Sequence, residues 1–427
     1  MALHLLLVLF SYMLLTQVVE GNTDDFDCVD IYKQPAFQNP LLKHHKIQEI
    51  FNLDDNLDRK NEYKVNDQRC PKGTVPILKQ RNGTESVHLD TVEYPGQHFA
   101  TIETVLDGSI YRGAEARISL HSLTVQNNQY SKSQIWLENG PRNELNSIQV
   151  GWAAHPRLYG DTRTRFTIYW TADGYKNSGC YNIQCPGFVI VTRIPWIGKA
   201  FSRTSIYGGN ETISFTPQVF QDGLSGNWGL KIFNNVIGYW PKELFTHLNN
   251  GASLIRFGGN TFMSPDGISP PMGNEHFPVI DFQKSSHYLH VKVKNSNYQL
   301  VDIEDSKTRR YSDSYQCYRL SYWGYSKSNG VSFSFGGPGG DCGHGSGGLA
   351  SFWKQEIQLV VTSSCKNLIN AEITYENKKF LPLLYMRARR QSTKATMGKN
   401  HRRSSRVQRV QCSEMTRNGE LGVGEGI

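Results

Sequence analysis

The side chains with the most distinctive chemistry lie in residues 146–188, which read NSIQVGWAAHPRLYGDTRTRFTIYWTADGYKNSGCYNIQCPGF. Cys180 and Cys185 are separated by Tyr-Asn-Ile-Gln, a spacing that suits a disulfide closing a sharp turn between two strands. Gln149 lies in a strand-like run, and its amide donates and accepts hydrogen bonds but exchanges no proton. Asp173 is followed by glycine, which is typical of a turn. The stretch therefore predicts paired strands around one amide.

Common metal and nucleophile motifs are absent from the sequence. His155, His247 and His276 are scattered, and the chain has neither HExxH nor a paired Cys-x-x-Cys, so we expect no metal site. The run GHGSGG lacks the strand-to-helix setting of a GxSxG serine, and we interpret it as a linker. We expect no cofactor.

The charge of the chain is concentrated at one end. The formal net charge is +8, and residues 387–409 alone contain nine basic residues and no acidic ones. Since the remainder is close to neutral, the sequence gives little support to a nucleic-acid partner. A length of 427 residues leaves room for two or three units, and the many glycines, tyrosines and phenylalanines favour strands and turns.

The first residues have the pattern of a secretory signal. An apolar run from Leu5 to Leu15 precedes small and polar residues, with a cleavage site expected after Gly21. No later segment has the apolar length of a membrane span, so we expect a secreted protein of the extracellular space or cell wall, without membrane attachment. Asn82 and Asn210 begin sequons and are predicted glycosylation sites.

The region after Val92 consists of short runs rich in β-branched and aromatic residues, such as RFTIYWTA and VSFSFGG, separated by turn residues. This spacing predicts an all-β fold, an antiparallel sandwich or barrel. Only Lys242 to Leu248 indicates a helical turn. We divide the chain into a signal peptide (1–21), a propeptide (22–91), a β domain (92–344) and a basic tail (345–427), which we expect to be disordered.

Cysteine usage in a secreted chain indicates disulfides. Besides the pair in the central stretch, Cys28 with Cys70 would close the polar N-terminal unit on itself, and Cys317 with Cys342 would tie the last strands of the β domain together. Spacing alone does not determine the connectivity.

Several long motifs resemble the neprosin family of secreted plant proteins. Residues 146–188, GYWPKELFTHL, FGGNTF and FSFGGPGGDCGH occur in the family's order, while DCVDIYKQPAFQNPLLKHHKIQ and CPKGTVPI resemble its activation peptide. The resemblance covers nearly all of residues 25–344. It implies a β-sandwich whose concave sheet forms a peptide-binding cleft, an inhibitory propeptide, and endopeptidase cleavage after proline by a glutamic mechanism without a metal.

Glutamic catalysis needs two carboxyl groups, one to take a proton from water and one to stabilise the oxyanion and protonate the leaving amine. In the family pattern, one Glu lies directly before the x-GW of the NSI-x-x-GW motif. The other directly follows the GG of the later FGG motif. Gln149 and Asn260 occupy these positions. Since neither amide exchanges a proton, the resemblance predicts a proline-peptide-binding homologue that is catalytically impaired.

Other carboxylates were weighed as replacements. Glu275, in ISPPMGNEHFP, is the better stand-in, whereas Glu144 lies beside Arg142 in a polar turn and is interpreted as a solvated charge. An active post-proline glutamic endopeptidase is therefore one alternative.

Aromatic residues supply a third hypothesis, a noncatalytic binder of cell-wall polysaccharide or proline-rich protein. Aromatic side chains on half-buried strands are usually core residues, but they also line clefts for proline or sugar rings. Our candidate cleft residues are Trp152, Tyr159, Trp170, Tyr239 and Trp240.

Overall fold

The computed structural model describes residues 24–48, 69–79, 96–233 and 235–343, together with the backbone of four strands between residues 358 and 385. The expected signal peptide, the Asn82 sequon and the basic run 387–409 lie outside the described residues. Residues 1–348 and 349–427 form separate compact units.

The described N-terminal segments, residues 24–48 and 69–79 (here the N-terminal unit), contain a two-stranded antiparallel ladder closed by a disulfide. Its strands are β1 (Phe26–Asp30) and β2 (Thr74–Leu78). Short 3₁₀ helices span Pro35–Gln38 and Pro40–Leu42. Cys28 pairs with Cys70, as the sequence suggested.

Two larger antiparallel sheets make up the main domain. The seven-stranded sheet has the strand order β18-β3-β14-β5-β6-β7-β8. Its strands are β3 (Gln97–Thr104), β5 (Tyr130–Asn139), β6 (Asn146–Ala154), β7 (Arg165–Thr171), β8 (Cys180–Tyr181), β14 (Leu254–Phe262) and β18 (Thr308–Ser312).

The ten-stranded sheet has the path β19-β20-β16-β4-β11-β12-β13-β9, with β10 beside β4 and β17 beside β16. Its strands are β4 (Gly113–Ser119), β9 (Val189–Ile190), β10 (Ser214–Phe215), β11 (Pro217–Gln221), β12 (Trp228–Ile232), β13 (Asn235–Trp240), β16 (His287–Lys294), β17 (Leu300–Asp302), β19 (Arg319–Ser326) and β20 (Gly330–Gly336).

Small elements connect the two sheets. Strands β15 (Ile268–Ser269) and β21 (Gly340–Asp341) pair with each other. The α-helix α1 spans Pro156–Tyr159, and further 3₁₀ helices span Arg142–Glu144, Lys242–Leu244, Leu248–Asn250, Phe282–Lys284 and Asp305–Lys307. Two of them fall at the ends of the segment in which the sequence indicated a helical turn.

One hydrophobic core lies between the two sheets. Along β6, Ile148, Val150 and Trp152 enter this core, together with Phe257 of β14 and Phe333 of β20. Successive side chains of a strand point to opposite faces, so the residues between them form the outer face of the seven-stranded sheet. The fold is the expected all-β antiparallel sandwich.

Two disulfides hold the ends of strands in the main domain. Cys180 pairs with Cys185 beyond β7, and Cys317 pairs with Cys342 near β19 and β21. Both pairings were suggested by the sequence. They close loops of short sequence separation and fix the ends of neighbouring strands.

The C-terminal unit departs in part from the expected disordered tail. Strands β22 (Gln358–Cys365), β23 (Leu368–Tyr375), β24 (Lys378–Phe380) and β25 (Leu383–Tyr385) form a four-stranded antiparallel sheet. The β-branched residues of these segments favour strands. The sequence of residues 349–365, LASFWKQEIQLVVTSSC, is compatible with a strand or a short helix, and the structure has a strand in it.

We predict that Trp152→Ala lowers the free energy of unfolding by about 3–5 kcal/mol, the usual cost of emptying a large core site. Trp152 is fully buried and its indole N–H donates to the carbonyl oxygen of Ser119 at 3.0 Å. Denaturant unfolding measures the change, with Tyr325→Ala as the control because Tyr325 is 66% exposed. Unchanged stability would contradict the core position of Trp152.

Candidate functional site

Gln149 and Asn260 both lie on the outer face of the seven-stranded sheet. Gln149 alternates with Ile148 and Val150, which enter the core, and Asn260 has the parity opposite to that of Phe257. Both side chains are almost fully buried, at 3% and 2% exposure. The two positions that the resemblance assigns to the family's Glu pair therefore share one face.

The pairing registers arrange the side chains of this face in three rows that run across the strands. The Gln149 row contains Glu103, Arg256, Trp136, Gln149, Tyr169 and Tyr181. The Gln134 row contains Thr101, Gly258, Gln134, Gly151 and Thr167. The Lys132 row contains Phe99, Asn260, Lys132, Ala153 and Arg165.

Gln149 and Asn260 flank the Gln134 row from opposite sides. Their register partners on β5 are Trp136 and Lys132. Four residues along a strand span roughly 13 Å at about 3.3 Å per residue. A ligand that lies across the strands over Gln134 would therefore have one amide on each side.

The Gln134 row forms a slot because two of its members are glycines. A Cβ atom at Gly151 would lie 1.9 Å from the carbonyl oxygen of Ser133, and one at Gly258 would lie 2.2 Å from that of Ala100. Since these contacts exclude a side chain at either position, Gln134 is the only long side chain in the middle of the row.

Side chains from the two outer rows meet over this slot. The rings of Phe99 and Trp136 have centroids 6.5 Å apart, and Lys132 Nζ donates to the hydroxyl oxygen of Tyr181 at 3.2 Å. Gln134 is fully buried beneath them, and both polar atoms of its amide lack a hydrogen-bond partner among the described residues. Such orphaned groups are costly and uncommon, so the slot has unused capacity for polar recognition.

The amide of Gln149 is held by its own side of the sheet. Its Nε2 donates to Tyr175 Oη at 2.8 Å and to Ser147 Oγ at 3.5 Å, while its Oε1 is buried with no partner among the described residues. Burial raises the pKa of Tyr175 well above its ordinary value, so the phenol stays neutral. Neither group supplies an exchangeable proton near neutral pH.

Asn260 is directed toward β3 and β5. Its Nδ2 donates to the carbonyl oxygen of His98 at 3.2 Å, and Lys132 is its direct neighbour on β5. The position that the resemblance assigns to the second carboxyl is therefore an amide beside a buried amine.

Two buried carboxylates on this face escaped the sequence analysis. Glu138 Oε2 lies 3.1 Å from Arg256 Nε, and Glu103 accepts from Arg309 Nε at 2.8 Å. Ser147 Oγ also donates to Glu138 Oε1 at 3.2 Å, which links Glu138 to the neighbours of Gln149. Alternation along the run YSKSQIWLEN is the sequence signal that could have identified Glu138. Its even-numbered residues, which include Glu138, alternate with Ser, Ile and Leu and so share one face of the strand.

The proposed stand-ins lie elsewhere. Glu275 is in the loop after β15, where its carboxylate accepts from the backbone N–H of Thr124 at 3.2 Å. Glu144 is exposed and lies 3.2 Å from His247 Nε2, as expected for a surface charge. Their hydrogen bonds therefore join them to loops and not to Gln149 or Asn260.

The candidate cleft aromatics are distributed over three environments. Trp152, Trp170 and Trp240 lie in the core between the sheets, which is the other role that sequence reasoning left open for them. Tyr239 packs with Ala36 of the N-terminal unit. Tyr159 borders the outer face, where its hydroxyl is 2.7 Å from Thr167 Oγ1.

The aromatic residues that the outer face does contain were not among the candidates. They are Phe99, Tyr130, Trp136, Tyr169, Tyr175, Tyr181 and Phe262. Strand pairing, not aromatic character, decides which rings face the slot.

The described N-terminal segments pack mainly along the ten-stranded sheet. Gln34 Nε2 donates to the carbonyl oxygen of Ile190 at 3.1 Å, and Ile190 N donates to Gln34 Oε1 at 2.7 Å. A hydrogen bond of 2.9 Å joins His45 Nε2 to Tyr239 Oη. These contacts cover the edge strand β9, which would otherwise expose unpaired backbone groups. Residues 49–68 and 80–95, which include the rest of the predicted inhibitory propeptide, lie outside the described residues.

Within the described ranges, no group of three or more His, Cys, Asp or Glu side chains is arranged to hold a metal ion. In the same ranges, no helix has the length and apolar character of a membrane span.

Comparison with solved structures finds two of scytalido-glutamic peptidase, one with a peptide-based transition-state analogue and one with a transition-state analogue inhibitor. They are 12% and 11% identical to this chain, and each match covers 56% of this chain and 97% of the peptidase at a TM-score of 0.31.

Comparison with family models gives two matches that follow each other along the chain. Residues 19–99 match the neprosin activation peptide, and residues 127–338 match the model described as Neprosin. The second range contains Gln149, Asn260 and every strand of the slot except β3. The chain belongs to the neprosin family and is a homologue of neprosin-type peptidases.

Proposed function

We propose that this chain is a secreted neprosin-type homologue that binds a proline-containing peptide across the outer face of the seven-stranded sheet without hydrolysing it. The observation that carries the proposal is the pair of amides, Gln149 and Asn260, on the two sides of the Gln134 row. An extended peptide would displace the side chains that cover Gln134, and the unpartnered amide of Gln134 would then match the donor and acceptor of a backbone amide.

The loss of hydrolysis follows from proton transfer. A water molecule that attacks a peptide bond must lose a proton, and the leaving amine must gain one. Amide side chains do neither, and each general acid or base typically contributes about 10²- to 10⁴-fold to the rate. Gln149 still donates and accepts hydrogen bonds, so the face would keep its peptide binding although hydrolysis is lost.

Proline preference is supported by the rings on the face. Phe99 and Trp136 bracket Gly258 from the two outer rows, and they offer apolar surfaces to a proline ring. Secretion is supported by the three disulfides and by the exposure of Asn210, the sequon that the structure describes. The N-terminal unit would act as the chain's own propeptide.

An active glutamic peptidase is the second candidate, and Glu138 favours it. Glu138 is the diagonal neighbour of Gln149 across β5 and β6, and Ser147 connects the two side chains. Arg256 neutralises this carboxylate at 3.1 Å, which opposes a role in proton transfer. Any cleavage by the unaltered protein should therefore disappear in Glu138→Gln.

We predict that the Gln149→Glu/Asn260→Glu double variant cleaves a quenched proline-containing peptide at acidic pH at least about 10²-fold faster than the unaltered protein, because it restores both proton-transfer groups. Fluorescence release and mass spectrometry measure the rate and the cleavage position. Gln283→Glu/Asn297→Glu makes the same chemical change at two exposed sites and should leave the rate unchanged. Equal cleavage by the unaltered protein would contradict the proposal.

We also predict that Trp136→Ala weakens binding of the same peptide about 30-fold, the loss expected for a buried aromatic anchor. Trp136 is 4% exposed but lies on the outer face, outside the core between the sheets. Calorimetry measures the affinity, with Tyr325→Ala as the matched surface change. Full retention of affinity by the Trp136 variant would place the ligand elsewhere; stronger binding of a cell-wall polysaccharide than of the peptide would favour a sugar binder.

A further inference from the structure

We propose that the outer face contains a binding pocket for a ligand carboxylate, formed by Lys132 and His155 beside the Gln134 row. The inference rests on the proposed function, since it names the chemistry of the peptide that the slot would accept. Neither residue stood out in the sequence as part of a site. Their proximity depends on the strand order β5-β6-β7-β8, which brings Lys132, His155 and Tyr181 to one part of the sheet.

Lys132 is a buried amine without an acidic partner among the described residues. It is 2% exposed, and of its three N–H donors one has an acceptor there, the hydroxyl oxygen of Tyr181 at 3.2 Å. Its ammonium also lies over the ring of Tyr130, 4.4 Å from the centroid. Burial lowers the pKa of Lys132 to about 7. A charged lysine in such a place is normally paired with an anion, so a ligand carboxylate would be a suitable partner for it.

His155 supplies a second unsatisfied donor to the same pocket. The backbone N–H of Leu158 donates to His155 Nδ1 at 3.4 Å. The pKa of His155 is lowered to about 3, mainly because the ring is buried. The contact with Leu158 favours the tautomer of the neutral ring that carries its proton on Nε2. That Nε2 is buried and has no partner among the described residues.

Two tyrosine rings connect the donors. The centroid of His155 lies 5.1 Å from that of Tyr130 and 5.6 Å from that of Tyr181, and the same two rings contact Lys132. The hydroxyl oxygens of both tyrosines accept a hydrogen bond, Tyr130 from Gln97 Nε2 at 2.7 Å and Tyr181 from Lys132, so their O–H groups are left to donate. Among the described residues, the pocket thus offers mainly donors.

A carboxylate matches this arrangement better than a neutral carbonyl group does. One carboxylate oxygen would accept from Lys132 and the other from His155, and its negative charge would compensate the ammonium. A neutral amide would satisfy hydrogen bonds but leave the buried charge unpaired. Both the terminal carboxylate of a peptide and an Asp or Glu side chain have this chemistry.

The pocket adjoins the proposed path of the ligand. Lys132 is the direct neighbour of Asn260 on one side and of Ala153 on the other, one row away from Gln134. A peptide lying over Gln134 would need to turn by one row to place its carboxylate there.

Protonation of Lys132 should control this binding. The titratable groups around it are Tyr130 on its own strand, Tyr181 on β8 and His155 after β6. Arg157 in α1 adds a positive charge that lowers the pKa of His155, and Arg165, farther along the row, is paired with Asp161 at 2.7 Å and with Asp24 at 2.9 Å. These neighbours each keep one charge state through the neutral range. Carboxylate affinity should thus be highest between the carboxylate's own pKa of about 4 and the Lys132 pKa of about 7. It should fall above this window as the amine loses its charge, and below it as the carboxylate does.

Three versions of one proline-containing peptide test the inference on the full chain by calorimetry: a free carboxyl terminus, an amidated terminus, and an amidated terminus with one internal Glu. We expect at least one of the two carboxylate peptides to bind about tenfold or more tightly than the neutral one at a pH below the pKa of Lys132. Whichever of the two gains affinity identifies the source of the carboxylate. The advantage should shrink at a higher pH.

Lys132→Met should abolish the carboxylate advantage while binding of the neutral peptide persists, and His155→Phe should reduce it. Lys231→Met is the matched control, because Lys231 also lies over an aromatic ring, that of Phe220, but on the other sheet. Thermal unfolding verifies that each variant is folded. If Lys132→Met does not fold, the affinities of His155→Phe for the three peptides decide the test. Equal affinity for all three peptides would overturn the carboxylate pocket and leave the proposed function standing, whereas no binding of any peptide would overturn both.

Discussion

The pairing of β5 with β14 on one side and β6 on the other is the constraint on which the site depends. This double register sets Trp136 beside Gln149 and Lys132 beside Asn260, and it leaves Gln134 between two glycines. A shift of one residue in either ladder would turn these side chains into the core and bring Ile135 and Leu137 to the outer face. The buried apolar face of β5 therefore secures the geometry of its polar face.

The outer face is polar but short of proton-transfer groups. Its carboxylates, Glu103 and Glu138, are engaged by Arg309 and Arg256, and Gln149 and Asn260 are amides. Among the described residues, donors and acceptors without partners and a lysine without a counter-charge remain. Such a surface is suited to holding a ligand by complementary hydrogen bonds and charge, and ill suited to moving protons during hydrolysis.

Sequence patterns predicted the local features well. The strand-like runs, the close cysteine pair and the strand position of Gln149 depend on neighbours in the chain, so they were legible. The roles of Trp152 and Lys132 were not, because they depend on which strands become neighbours over long separations. Trp152 reads as a ring for a cleft until its parity with Ile148 places it in the core, and Lys132 reads as a surface charge until β8 brings Tyr181 over it.

The central claim is that an intact peptide lies across β14, β5 and β6 between Gln149 and Asn260. A crystal structure of the unaltered full chain, grown at acidic pH with a proline-containing peptide, tests this most directly. We predict continuous density for an uncleaved ligand over Gln134, with hydrogen bonds to that amide and to Gln149 Oε1. Density for cleaved products in the slot, or for the peptide on another surface, would contradict the account.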